Sequence, residues 1–158
     1  MEGVPLRPIN ESTPSPEQDS TDVRVTPWID EVVEAHGFGP RSMYVEMCWL
    51  PILGPTTTLL YRRLGTWAEH HPDGITVNLG QLAVSLGLGE GVGKQSPIMR
   101  SLDRMVRFGV MRRAADELQV RRAMPPLTQL QARHLDESTR RLHEEYVRRP
   151  RPSLRGRA

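Results

Sequence analysis

Lysine is almost missing from this chain: of its 21 cationic side chains, all but Lys94 are arginine. A GC-rich genome produces the same bias, so the arginines carry meaning through their placement and not their number. Cysteine is equally scarce. Cys48 stands alone, which excludes an internal disulfide and a cysteine-built zinc site, and it reads as a small packed residue in a reducing cytosol. Aromatic residues number only eight in 158. The apolar residues concentrate between Met43 and Val120, enough for one small core and not for two. No apolar run has the length of a membrane span, and the N-terminus lacks the basic start and apolar stretch of a signal peptide. The expectation is a cytoplasmic, nucleoid-associated protein without membrane contact.

Catalytic constellations are also wanting. His36, His70, His71, His134 and His143 show no metal-ligand spacing. The glycine-rich stretch Gly87-Leu88-Gly89-Glu90-Gly91-Val92-Gly93-Lys94 lacks the Gly-Lys-Ser/Thr ending of a phosphate loop, and no β-branched run leads into it. The reading is therefore no enzyme, no cofactor and no metal.

What is present is an uneven charge. Residues 1–60 sum to −6 and residues 61–158 to +8, so the formal net charge of +2 conceals an acidic and a basic half. Within the basic half, residues 96–108 hold the most telling pattern. Ser96 caps a helix and Pro97 fits its first position, where a missing N–H costs nothing. Ile98, Leu102, Met105 and Val106 fall on one side at helical period, while Arg100, Arg104 and Arg107 fall opposite, within roughly 60° of one another.

The flanking order is equally suggestive. Thr56 to His71 reads as a helix with Leu60, Leu64, Trp67 and Ala68 inward. Pro72-Asp73-Gly74 turns the chain into a short strand, Ile75-Thr76-Val77. Asn78 caps a second helix, Leu79 to Leu86, and Gly87-Leu88-Gly89 stops it. After the arginine-striped helix, Val110–Ala114 and Leu118–Arg122 read as a hairpin bearing Arg112, Arg113, Arg121 and Arg122. Helix, strand, helix, helix, hairpin is the order of a winged helix, whose third helix enters the major groove of DNA.

The expected fold class is mainly α with a small β-hairpin: a winged helix-turn-helix over residues 55–127, an added C-terminal helix over 128–149, and disordered tails. Residues 1–25, rich in proline and polar residues, read as a disordered tail. Residues 26–54 read as a short helix, Trp28 to His36, followed by a strand or extended arm, Met43 to Leu50. The C-terminal helix opens on a Thr128/Gln131 capping box. Leu135, Leu142 and Tyr146 give it an apolar stripe that suits either a homodimer seam or the chain's own core. Glu137–Arg141, Arg140–Glu144, Glu144–Arg148 and Glu145–Arg149 are i,i+4 pairs on that helix. The last segment, 150–158, is an arginine-rich tail in which Arg155-Gly156-Arg157 matches only the centre of a minor-groove hook.

Tyr44-Val45-Glu46, Trp49 through Thr56, Ser96 through Gly109, and Val120-Arg121-Arg122 with Pro125-Pro126-Leu127 resemble a largely uncharacterised group of small actinobacterial winged-helix-like proteins. The resemblance covers about residues 40–130. It implies the fold and supplies no activity.

Together these readings point to double-stranded DNA as partner and to a transcriptional regulator. Ser96, Arg100, Ser101 and Arg104 are the expected groove contacts together with Arg107, and Arg112, Arg113, Arg121 and Arg122 the expected wing contacts. The alternative is a winged-helix module that recruits a transcription, replication or chromosome-handling protein, with the acidic N-terminal segment as a possible docking element. A phage or plasmid replication accessory factor is a third option.

Overall fold

Val23, Val25 and Thr26 are β-branched and favour an extended chain. In the computed structural model, which describes residues 21–149, they form β1 (Asp22–Trp28). This strand is the organiser of a four-stranded sheet with order β2-β1-β4-β3. β1 runs antiparallel to β2 (Ile75–Asn78), from Asp22 opposite Asn78 to Val25 opposite Ile75. On its other side it runs parallel to β4 (Glu117–Arg121), from Arg24 opposite Glu117 to Trp28 opposite Arg121. β3 (Met111–Ala114) closes the order as the antiparallel partner of β4.

The disordered tail expected through residue 25 is therefore corrected at 22–25, while residues 1–20 and the arginine-rich segment 150–158 lie outside the described residues. The fold is mixed α/β, with the hairpin forming half of a larger sheet. The strand was hard to read because its alternation is short and only Val25 is fully buried, at 1 % exposed. Pro27 is tolerated because pairing with β2 stops at Val25, leaving β4 as the single neighbour there.

The helix expected from Trp28 starts later. Asp30 caps α1 (Glu31–His36), its carboxylate accepting from the N–H groups of Val32 at 3.1 Å and Val33 at 3.2 Å. Gly37 ends it, as expected. A Cβ there would stand 2.3 Å from the Val33 carbonyl oxygen and 2.8 Å from that of Met124, so no other residue fits. Phe38 then exchanges both backbone hydrogen bonds with Met124, at 2.8 and 2.7 Å.

Met43 to Leu50 is a second correction. It is helical: a π-helical turn, Val45–Trp49, runs into α2 (Leu50–Leu53). Tyr44, Val45, Cys48 and Trp49 are all buried, a spacing of one, four and five that fits a coiled chain and not alternation. Burial pushes the Cys48 thiol up to about 11, which keeps it protonated and unreactive.

The next helices follow the local signals. α3 (Pro55–His70) buries Leu60, Leu64 and Ala68. α4 (Leu79–Ser85) is capped by Asn78, whose Oδ1 accepts from the Gln81 N–H at 2.9 Å. Gly87 and Gly89 both take positive φ, 74° and 77°. α5 (Pro97–Arg107) is capped by Ser96 and buries Ile98, Leu102 and Met105 at 1 % exposure or less, while Val106 is 38 % exposed.

The single C-terminal helix is instead two. α6 (Gln129–Ala132) starts at a complete Thr128/Gln131 capping box, and α7 (Glu137–Arg148) restarts at Asp136. Thr139 hydrogen bonds hold the Asp136 carboxyl below its usual range. Of the expected ion pairs on α7, Glu137–Arg141, Glu144–Arg148 and Glu145–Arg149 form. Arg140 instead donates to the Leu135 carbonyl at 3.0 Å.

The apolar stripe of α7 returns to the protein's own core. Tyr146 meets Phe38 and Tyr44 edge-on, with ring centroids 5.9 and 5.6 Å apart, and Phe38 stacks on Tyr44 at 3.7 Å. Tyr44 accepts from the Leu127 N–H at 2.8 Å, and its hydroxyl is hydrogen-bonded to His143 Nδ1 at 2.7 Å. Burial holds His143 below the ordinary histidine value, against an opposing pull from Glu144.

Two predictions follow from this packing. Val25→Ala should lower unfolding free energy by about 2 kcal/mol in urea titrations, whereas a tail position would leave it unchanged. Because the unfolded chain binds the His143 proton first, stability should be level above about pH 6.5 and fall as pH drops below it. The urea midpoint of His143→Gln should decline less between about pH 7.5 and about pH 5.5 than that of the parent.

Candidate nucleic-acid interface

The arginine side of α5 has one buried flank and one open one. Arg100 and Arg107 are exposed, and neither makes an ion pair among the described residues. Arg104 is exposed as well, but its guanidinium donates to the Ile52 carbonyl at 2.9 Å and lies 5.3 Å from the Phe108 ring centroid. That bond ties α5 to the end of α2. Ser96 is occupied as a cap, its Oγ accepting from the Met99 N–H at 3.4 Å. Ser101 is not on the outer surface: it is 6 % exposed and lines a groove that separates α5 from the start of α3.

This groove holds about 590 Å³. Arg100, Arg104 and Arg107 line one side, and Gly54, Thr56 and Thr57 the other. The contribution of α3 was missed from sequence. Its signal is Gly54-Pro55-Thr56-Thr57-Thr58, a left-handed glycine and an N1 proline followed by three hydroxyls.

The hairpin arginines divide into two groups. Arg112 donates to Gln119 Oε1 at 2.5 Å and lies 4.6 Å from the Trp28 ring centroid. Arg113 pairs with Asp103 at 2.7 Å, both side chains remaining well exposed. Such an exposed pair is worth little and opens easily.

Arg121 and Arg122, expected as wing contacts, are both engaged by carboxylates within the fold. Arg121 lies 3.7 Å from the Trp28 ring centroid, donates to the Gly109 carbonyl at 2.6 Å, and reaches Asp30 at 3.3 Å. The backbone N–H of Val33, with Arg121 assisting, holds the Asp30 carboxyl below its usual range. Arg122 forms a two-pronged pair with the buried carboxylate of Glu34, through Nε to Oε1 and through Nη2 to Oε2 at 2.9 Å. That hydrogen bond raises the Arg122 pKa further. Asp30 and Glu34 thus engage the hairpin, so these two acids of the N-terminal segment are not free for another protein.

No family model matches this chain, and no curated protein or solved structure matches it either. Function must be read from geometry. Among the described residues, no group of three His, Cys, Asp or Glu side chains is placed to hold a metal, and no helix is long and apolar enough to cross a membrane.

The pairing of Arg122 with Glu34 is testable. Arg122→Ala leaves Glu34 buried without its cation and should cost about 3 kcal/mol of stability in chemical denaturation. A surface ligand residue would show almost no loss. In a double-mutant cycle, adding Glu34→Gln should recover part of the cost.

Proposed function

We propose that this chain is a double-stranded DNA-binding protein, a transcriptional regulator built on a winged helix-turn-helix. In this reading α4 and α5 are the helix-turn-helix pair, β3 and β4 the wing, and α5 the element that enters the major groove. One observation carries it: Arg100 and Arg107 stand exposed and without carboxylate partners on a capped helix whose opposite face is core. Planar guanidinium groups suit the O6/N7 edge of guanine and the phosphates beside it. Arg112 and Arg113 are exposed side chains on the edge strand β3 and serve the flanking backbone, Arg113 by releasing Asp103. A nucleoid location follows from the same reading.

A second reading has a specific observation in its favour. Met43, Met47 and Leu50 are spaced as one helical face and are exposed by 56 %, 40 % and 36 %. An apolar face of this kind suits a protein partner. This alternative, a recruiting module, now rests on that face, because the α7 stripe is packed on Phe38 and Tyr44.

A mobility-shift assay across salt concentration separates the two. Arg100→Ala with Arg107→Ala should weaken duplex binding and reduce the slope of log affinity against log salt by about 2, if each arginine neutralises one phosphate. Arg141→Ala, on α7, should leave both unchanged. Absence of binding by the parent chain at low salt overturns the DNA reading in favour of the recruiting module.

A further inference from the structure

The floor of the groove beside α5 holds polar groups that nothing in the fold satisfies. Gly54, at φ 82°, turns the chain so that Pro55 takes the first position of α3. Pro55 has no N–H, and the first donor to find a carbonyl is that of Thr58, to Gly54 at 3.0 Å. The N–H groups of Thr56 and Thr57 therefore lie at the positive end of a 16-residue helix with no acceptor inside it.

The second observation concerns buried hydroxyls. Thr57 is 3 % exposed and Ser101 6 %, and both line the groove. Neither side chain has a hydrogen-bond partner among the described residues. Their neighbour Thr58, by contrast, donates its hydroxyl to the Gly54 carbonyl at 2.7 Å. The enclosed unpaired side-chain polar atom among the described residues is Tyr61 Oη, so the Thr57 and Ser101 oxygens open onto the groove, where a ligand oxygen can replace water on both. Above them stand Arg100, Arg104 and Arg107. One carboxylate also lines the groove, Asp103, and its Oδ1 is taken by Arg113 at 2.7 Å.

We propose that this groove seats a phosphoryl group, with the Thr56 and Thr57 amides and the Thr57 and Ser101 hydroxyls on its oxygens and Arg100 and Arg107 closing over its charge. Donors converge from two elements, which fits a tetrahedral oxyanion with several acceptors better than a flat carboxylate with two. The groove volume exceeds one phosphate, so it admits what the phosphate is attached to. Two sources share this chemistry, a duplex backbone phosphate and the phosphate of a free small molecule. The site goes beyond the DNA reading and stands without it.

The test is an NMR titration of the full chain with inorganic phosphate, at ionic strength held constant with chloride. Saturable shifts should appear at the Thr56, Thr57 and Ser101 amides at phosphate concentrations of about 1–10 mM. Thr57→Val with Ser101→Ala should weaken phosphate about tenfold. The same pair should leave the thermal midpoint unchanged or raised, because the hydroxyls removed are unpaired. Arg100→Gln, on the surface, gives a second variant that does not touch the core and should weaken phosphate as well. Added duplex that displaces phosphate assigns the seat to the DNA backbone; duplex that binds without displacing it, or does not bind, assigns it to a free phosphorylated molecule. The proposal fails if the parent shows no saturable shift at these amides, or if the hydroxyl-deleted variant, or Arg100→Gln where that variant does not fold, binds phosphate as tightly as the parent.

Discussion

Everything in this molecule hangs on one strand joining two pieces of sheet that do not touch each other. β2 and the β3–β4 hairpin are separated in the sheet by β1, which pairs with the first antiparallel and with the second parallel. The clasp continues past the backbone bonds. Trp28, at the end of β1, receives the guanidinium groups of Arg112 and Arg121 on its ring, and Thr26 donates to Glu117 at 3.1 Å. Asp30 and Glu34, just beyond, hold Arg121 and Arg122. The segment before residue 37 therefore sets the position of the hairpin, and the hairpin leads back to α5 through Gly109 and Val110, whose N–H bonds the Met105 carbonyl at 2.9 Å.

The same arrangement explains the split charge. Part of the acidic N-terminal excess meets the basic hairpin inside one molecule, where desolvation strengthens the attraction and the two-pronged Arg122–Glu34 geometry satisfies both groups. The cations left over are those of α5 and of β3. They lie near the groove whose floor is made of the α3 N-terminus and two unpaired hydroxyls. Positive charge is thus concentrated by subtraction: Asp30 and Glu34 take Arg121 and Arg122, Asp103 takes Arg113, and Arg100 and Arg107 are left free of ion pairs among the described residues.

Legibility followed the range of the deciding interaction. The caps at Asn78, Ser96 and Thr128, the glycine stop at Gly87-Leu88-Gly89, and the stripe on α5 were all readable, because each depends on residues within four or five positions. β1 was not, because its partners lie about fifty and ninety residues away and its own alternation is brief. Met43 to Leu50 was misread because β-branched and aromatic residues that favour strands occupy a helix buried on two adjacent sides. The break between α6 and α7 carried a local signal, Asp136 as a cap, that a continuous apolar stripe obscured.

For the candidate site the division is similar. The residue types, the helix that carries Arg100, Arg104 and Arg107, and the opposition of that stripe to Ile98, Leu102 and Met105 were settled by sequence alone, since the helical period places side chains without reference to the rest of the fold. Which arginines stay available was decided only by tertiary structure. An arginine is equally polar whether it faces solvent, a carboxylate or a tryptophan ring, so nothing local to Arg121 or Arg122 distinguishes them from Arg112 or Arg113. The groove also needed the fold, because its two walls lie some forty residues apart in the chain and meet only when α3 and α5 pack together.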